Sequence, residues 1–188
     1  MTWRIHDTAR SHFVPSTDEP GLKLHLRAHG DDAARRPVLF VHGATYASRL
    51  FDIPAAGASW MKATAEAGFA AYGVDTRGYG KSRSQGMDSS AVPYAPATHA
   101  IRDIDDAVTW ICDRHGVGSL RLIGGSWGAL TTALYASTVG DARVERLVLY
   151  APIYAEVNAA WQAVLADPAN PLLLNPCLGA SRWITEAA

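Results

Sequence analysis

Ser126 lies in Gly124-Gly125-Ser126-Trp127-Gly128, a match to Gly-x-Ser-x-Gly, and a hydroxyl in that setting is a candidate nucleophile for acyl transfer. Five residues alone are a weak signal, and the neighbourhood is what gives them weight. The apolar run Leu120-Arg121-Leu122-Ile123 leads in, and the Ala- and Leu-rich stretch Trp127–Val139 leads out. The pentapeptide therefore falls on a tight turn between a strand and a helix. Side chains at the flanking positions would collide with neighbouring backbone, and glycine avoids that. A serine held in such a strained turn presents its Oγ at the positive end of a helix, where developing negative charge is favoured.

The elements that must position it read as strands alternating with helices. Ser11–Pro15 and Leu22–Ala28 form a hairpin across the turn residues Ser16–Gly21, and Leu22, Leu24 and Leu26 alternate with Lys23, His25 and Arg27 as in a half-buried strand. Gly30–Arg36 is a polar loop. Pro37–Val41, Phe69–Val74, Leu120–Ile123 and Arg146–Tyr150 are continuous apolar runs, the pattern of parallel strands buried on both faces. Helices are expected over Ala55–Ala67, Thr98–His115 and Trp127–Val139. In the second, Ile101, Ile104, Val108, Ile111 and Cys112 make an amphipathic stripe that Gly116 stops. This order predicts an α/β fold with a mostly parallel sheet, an N-terminal antiparallel hairpin and right-handed crossovers. Ile153–Ala188, with Pro168, Pro171 and Pro176, breaks the rhythm and reads as helical pieces and loops with no further strand.

Three spaced signals now combine: His42-Gly43 at a strand end, Asp75-Thr76-Arg77-Gly78-Tyr79-Gly80-Lys81-Ser82 after the next strand, and the Gly-Gly-Ser-Trp-Gly turn. Over roughly residues 22–154 the chain resembles the α/β-hydrolase family. The resemblance implies helices on both faces of the sheet and an oxyanion hole made by two backbone N–H groups. One belongs to Trp127, after the nucleophile, and the other to Ala44, after the His-Gly pair. It also implies that His42 braces its loop and is not the base. The Gly-Gly-Ser-Trp-Gly form is similar to that of prolyl iminopeptidases, but His42-Gly43-Ala44-Thr45 lacks their Gly-Gly-Pro, so an aminopeptidase of that branch is an alternative parent activity. Asp75 and Arg77 read as a turn held by a local ion pair and hydrogen bonds. His99 and His115 read as solvent-facing. Trp127, Tyr46 and Tyr154 are candidates for lining a pocket.

In that family the order is nucleophile, acid, histidine. All seven histidines here (His6, His12, His25, His29, His42, His99 and His115) precede Ser126. The acids that follow it are Asp141, Glu145, Glu156, Asp167 and Glu186, of which only Glu156 is a remote candidate for a variant acid position. The family's last strands also have no counterpart, which leaves Arg146–Tyr150 at an open edge. The expectation is that residues 1–152 are the N-terminal part of a hydrolase core lacking the last strands, and residues 153–188 the start of a cap or lid. On this reading the chain is the N-terminal portion of a serine hydrolase for a small ester, amide or related acyl substrate, inactive alone. The alternatives are one chain of a split hydrolase and a non-catalytic binding or interaction module.

Composition narrows the partners. In 188 residues, 17 basic and 18 acidic side chains leave a formal charge of −1, which gives no electrostatic case for nucleic acid or an acidic membrane. No run approaches the length of a membrane span, and the N-terminus has no apolar signal core. Cys112 and Cys177 fit no metal or disulfide pattern and read as reduced thiols of a cytoplasmic protein. No metal and no cofactor is expected, because no ligand cluster or phosphate loop is present. The expected partners are a small acyl substrate and, at the open sheet edge, a second copy or a complementing chain.

Overall fold

Val38 and Phe40 pack in one apolar cluster, and Leu39 and Val41, the residues alternating with them, pack in another. A strand buried this way needs a layer on each face. The computed structural model, which describes residues 8–54, 57–84, 87–153 and 159–178, supplies both. Strands β1 (Arg10–Pro15), β2 (Lys23–His29), β3 (Pro37–Val41), β4 (Ala70–Asp75), β5 (Leu120–Gly125) and β6 (Val144–Tyr150) form one sheet in the order β1-β2-β4-β3-β5-β6. The β1–β2 and β2–β4 pairs are antiparallel, while β4–β3, β3–β5 and β5–β6 are parallel. The expected mixed α/β sheet is thus present.

Helix α1 (Trp60–Glu66) packs on β4 and β2, with Met61 buried beside Phe40 and Phe51. Helices α2 (Ala97–His115) and α3 (Trp127–Thr138) pack on each other and cover the opposite face with Ile104, Val108, Ile111 and Tyr135. Gly116 ends α2 in the left-handed conformation, φ 61°, where a Cβ would be strained. The first helix is shorter than the expected Ala55–Ala67. Ser59 caps it by accepting the Lys62 N–H, so the helix begins only at Trp60.

Two further expectations need correction. Strand β2 is not half-buried, because His25, Arg27 and His29 are buried along with Leu24, Leu26 and Ala28. In the tail, helix α4 (Ala159–Leu165) is followed by a small antiparallel hairpin, β7 (Ala166–Asp167) and β8 (Asn170–Leu174), where no strand was expected. Asp167 holds its turn at Pro168-Ala169, accepting the Ala169 N–H on its side chain. The Leu174 N–H then donates to Ala91 O, which ties the hairpin to the loop before α2.

Among the described residues β6 is an edge strand. Leu147, Val148, Leu149 and Tyr150 are between 37% and 54% exposed, although their sequence is that of a buried strand. Beside β6, an open groove of about 370 Å³ runs over Val38, Phe69, Ile123, Arg146 and Val148. Ser126 does not line it.

Candidate active site

Ser126 stands between the last residue of β5 and the first of α3, at φ 55° and ψ −121°. Only one other non-glycine residue among those described has positive φ, Ala151 at the end of β6. Holding a side chain there costs of order 1–3 kcal/mol, which the surrounding contacts must offset. The Ser126 N–H donates to Tyr150 O at 2.9 Å, and the Ser126 carbonyl accepts the Ala129 N–H at 2.9 Å. A Cβ on Gly128 would press into the carbonyl oxygens of Val41 and His42, and one on Gly124 into Thr132 Oγ1 and Gly128 O. The glycines are therefore set by crowding between β5, α3 and the end of β3.

The His-Gly loop lies directly against the serine. A Cβ on Gly43 would sit 3.0 Å from Ser126 Cβ and 3.4 Å from its Oγ. His42 is fully buried. Its Nδ1–H donates to Gly43 O at 2.7 Å, and its Nε2 accepts the Thr76 N–H at 3.2 Å. Burial pushes its pKa down, against the opposing pull of Gly43 O and Asp75, so the ring is neutral and both nitrogens are engaged. His42 is thus a brace. Ala44 follows, exposed, its carbonyl accepting the Tyr79 O–H at 2.7 Å. Trp127 is half-buried, and as a first-turn residue its N–H has no acceptor within α3. The two backbone segments expected to flank an oxyanion are therefore next to Ser126.

No hydrogen bond reaches Ser126 Oγ from any described side chain, and the described histidines lie against other groups, the buried Nε2 of His12 with no hydrogen-bond partner. His12 stacks on Trp110 at 5.0 Å, His25 pairs with Asp75, His29 with Asp52, and His99 bonds Arg77. His115, expected in solvent, is buried and bonded to Tyr72 Oη at 2.8 Å, while His99 is exposed as expected. Of the acids after Ser126, Glu145 pairs with Arg121 and Asp167 accepts the Ala169 N–H. Glu156, Glu186 and Tyr154 lie outside the described residues, and the Asp141 side chain is not described.

Asp75 and Arg77 do not pair with each other. Arg77 is 1% exposed and grips Asp103 of α2 through its backbone N–H (2.8 Å), Nε and Nη2 (2.7 Å), with Asp18 at 2.9 Å on Nη1. Burial disfavours its charge, but the two carboxylates outweigh that and raise its pKa. Asp75 turns the other way. It accepts His25 Nδ1 (2.8 Å), Ser48 N (2.9 Å), Ser48 Oγ (2.5 Å) and Lys81 N (3.1 Å). Burial raises its pKa, and these four donors more than reverse that, leaving it at about 2. Beside it, Asp52 collects Arg27, His29 and Ser59. This buried polar seam of β2 and β4 is what sequence reasoning missed. Its only signal was three basic side chains at alternating positions, which also fits a solvated strand face.

Residues 36–184 match the family described as the alpha/beta hydrolase fold. Among solved structures the chain is similar to an esterase from Exiguobacterium antarcticum, at 25% identity and TM-score 0.58, covering 74% of this chain and 44% of that one. It is also similar to the thioesterase domain from the curacin biosynthetic pathway, at 23% identity and TM-score 0.64, covering 83% and 51%. A third is an epoxide hydrolase from Vigna radiata, at 22% identity and TM-score 0.57, covering 75% and 39%. The chain spans about half or less of the length of these structures. No curated protein sequence matches it. No helix among the described residues is long and apolar enough to cross a membrane.

Proposed function

The chain belongs to the alpha/beta hydrolase fold family, and from that premise we propose that Ser126 is the nucleophile of a serine hydrolase acting on a small ester, amide or related acyl substrate. The observation that carries the reading is Ser126 itself, held at φ 55° on a strand–helix turn with the Gly43 backbone packed against its side chain. No structural economy explains that strain, whereas a partly accessible hydroxyl presented at a helix start does. Ser126 Oγ attacks the acyl carbon, and the N–H groups of Ala44 and Trp127 take the developing oxyanion. Release of the leaving group and attack by water complete the cycle. On this reading the base and its orienting acid come from polypeptide beyond these 188 residues, in continuation or on a second chain, because all seven histidines precede Ser126, against the family order, and no described histidine hydrogen-bonds its Oγ. Residues 1–152 then form the N-terminal part of the catalytic core and residues 153–188 the start of a cap. Alone they turn over little, since an oxyanion hole without a base leaves only residual catalysis, orders of magnitude below a full triad. Cys112 and Cys177 stay reduced in a cytoplasmic setting.

A second reading, a split enzyme or a binding module docked through its edge, draws on one observation: the exposed apolar face of β6. A fluorophosphonate probe with peptide mapping separates these readings. Phosphonylation of Ser126 that rises sharply when the downstream polypeptide is supplied supports the hydrolase. Robust ester turnover by these residues alone overturns the need for an added base. No labelling in any context, with a partner protein retained, favours the binding module.

A further inference from the structure

Ser11, His25 and Asp75 come from three adjacent strands, β1, β2 and β4, and form one hydrogen-bonded line. Ser11 Oγ lies 3.0 Å from His25 Nε2, and His25 Nδ1 lies 2.8 Å from Asp75 Oδ2. We propose that Ser11 is a second nucleophile of this protein, activated by His25 and Asp75, and that it accepts an acyl group from a small activated ester or thioester. Three strands separate it from the strand that carries Ser126, and it needs nothing from that site.

Direction is built into the line. Asp75 already takes hydrogen bonds from Ser48 and the Lys81 N–H, and the low pKa that results keeps it an anion at neutral pH. An anionic carboxylate can only accept, so the Nδ1–H of His25 donates to it, and in the neutral ring Nε2 is then the acceptor facing Ser11. His25 and Asp75 are 1% and 3% exposed, so the base is fixed and shielded, while Ser11 lies open on the edge strand. Phe13, two residues along and 50% exposed, has its ring 5.2 Å from that of His25 and gives an acyl chain an apolar surface beside the hydroxyl. Arg27 lies directly across the strand pair from Ser11, paired with Asp52 at 3.1 Å.

The transfer balances without any redox step. Ser11 Oγ bonds to the acyl carbon as its proton passes to His25 Nε2. The bond to the leaving oxygen or sulfur then breaks, and the leaving group takes that proton. The products are an ester on Ser11 and a free phenol, alcohol or thiol. Because the hydroxyl lies on an open strand and not in a cleft, the donor must bring a good leaving group of its own.

The test uses the whole chain carrying Ser126→Ala, treated with 4-nitrophenyl acetate and mapped by peptide fragmentation, so the outcome is independent of the Ser126 reading. Acetylation at Ser11 that is lost in Ser11→Ala, and slowed roughly 10²-fold in a His25→Gln protein of native circular dichroism, supports the proposal. Acetyl groups confined to lysines, or at Ser11 at an unchanged rate in His25→Gln, overturn it. If His25→Gln does not fold, Ser11→Cys decides. His25 makes the introduced thiol react with iodoacetamide at least about tenfold faster than the exposed Cys177 of the same molecule, and equal rates refute the relay.

Discussion

Gly128→Ala probes the turn that holds Ser126 with a single methyl group. The new Cβ would fall inside the 3.0 Å that real Cβ atoms respect against three atoms at once: the carbonyl oxygens of Val41 and His42, and the Val41 carbonyl carbon at 2.8 Å. All three are backbone at the end of β3, a strand paired on both sides, so none can rotate away. Helix α3 must therefore lift by something on the order of 1 Å, loosening the buried contacts of Ala129, Thr132 and Tyr135 below it. Overpacking of this kind costs about 1–3 kcal/mol, and the rigid partners put it at the upper end. For a chain of this size that lowers Tm by about 6–12 °C. Labelling of Ser126 by a fluorophosphonate falls too, because the serine is the cap of the displaced helix. The control is Gly118→Ala, where nothing lies within 4 Å and φ is not positive. It leaves Tm unchanged or slightly raised through the unfolded state. Calorimetric melting of the two variants decides. If Gly128→Ala melts within about 2 °C of the parent, the crowding account of the glycines is wrong.

Three further outcomes follow from the same contacts. Ser126→Gly relieves the φ 55° strain and, after the extra entropy of an unfolded glycine, raises stability by about 1 kcal/mol in denaturant titration while removing the Ser126 adduct; a loss of stability would contradict it. Asp75 has its pKa lowered from 3.8 to about 2, so it adds stability above pH 4 that is lost as pH falls through 2. That amounts to about 2 kcal/mol, and Asp75→Asn removes it, flattening the acid limb of a stability–pH profile and lowering stability at pH 7. Val148→Lys, at a half-exposed edge position, reduces self-association in sedimentation at a stability cost within about 0.5 kcal/mol; unchanged sedimentation would mean that the edge is not sticky.

Strands β3 to β6 were legible because a parallel strand meant to be covered on both sides reads as a nearly unbroken apolar run; Pro37–Val41 is covered so, whereas Arg146–Tyr150 has the same pattern but is left exposed at the edge. Ser126 was legible for a local reason as well: the glycines around it answer to contacts within one turn and to the adjacent strand end. The seam of His25, Asp75, Asp52 and Arg27 was not, because its partners lie 23 to 50 residues apart and meet only when β2 inserts between β1 and β4. Arg77 was misjudged in the same way, since the carboxylate that matches it, Asp103, is one helix later in the chain. The β7–β8 hairpin escaped notice because two short strands around Pro168 carry too few side chains to display a period.

The Ser126 N–H ends on the carbonyl of Tyr150, the last residue of β6. That bond makes the amide of Ser126 a reporter for the sheet edge. Each time β6 frays, the proton loses its acceptor and becomes free to exchange with solvent, so its protection measures the opening of the edge and not of the helix it caps. Anything that zips onto β6 slows this exchange and holds the serine turn still, without touching the serine.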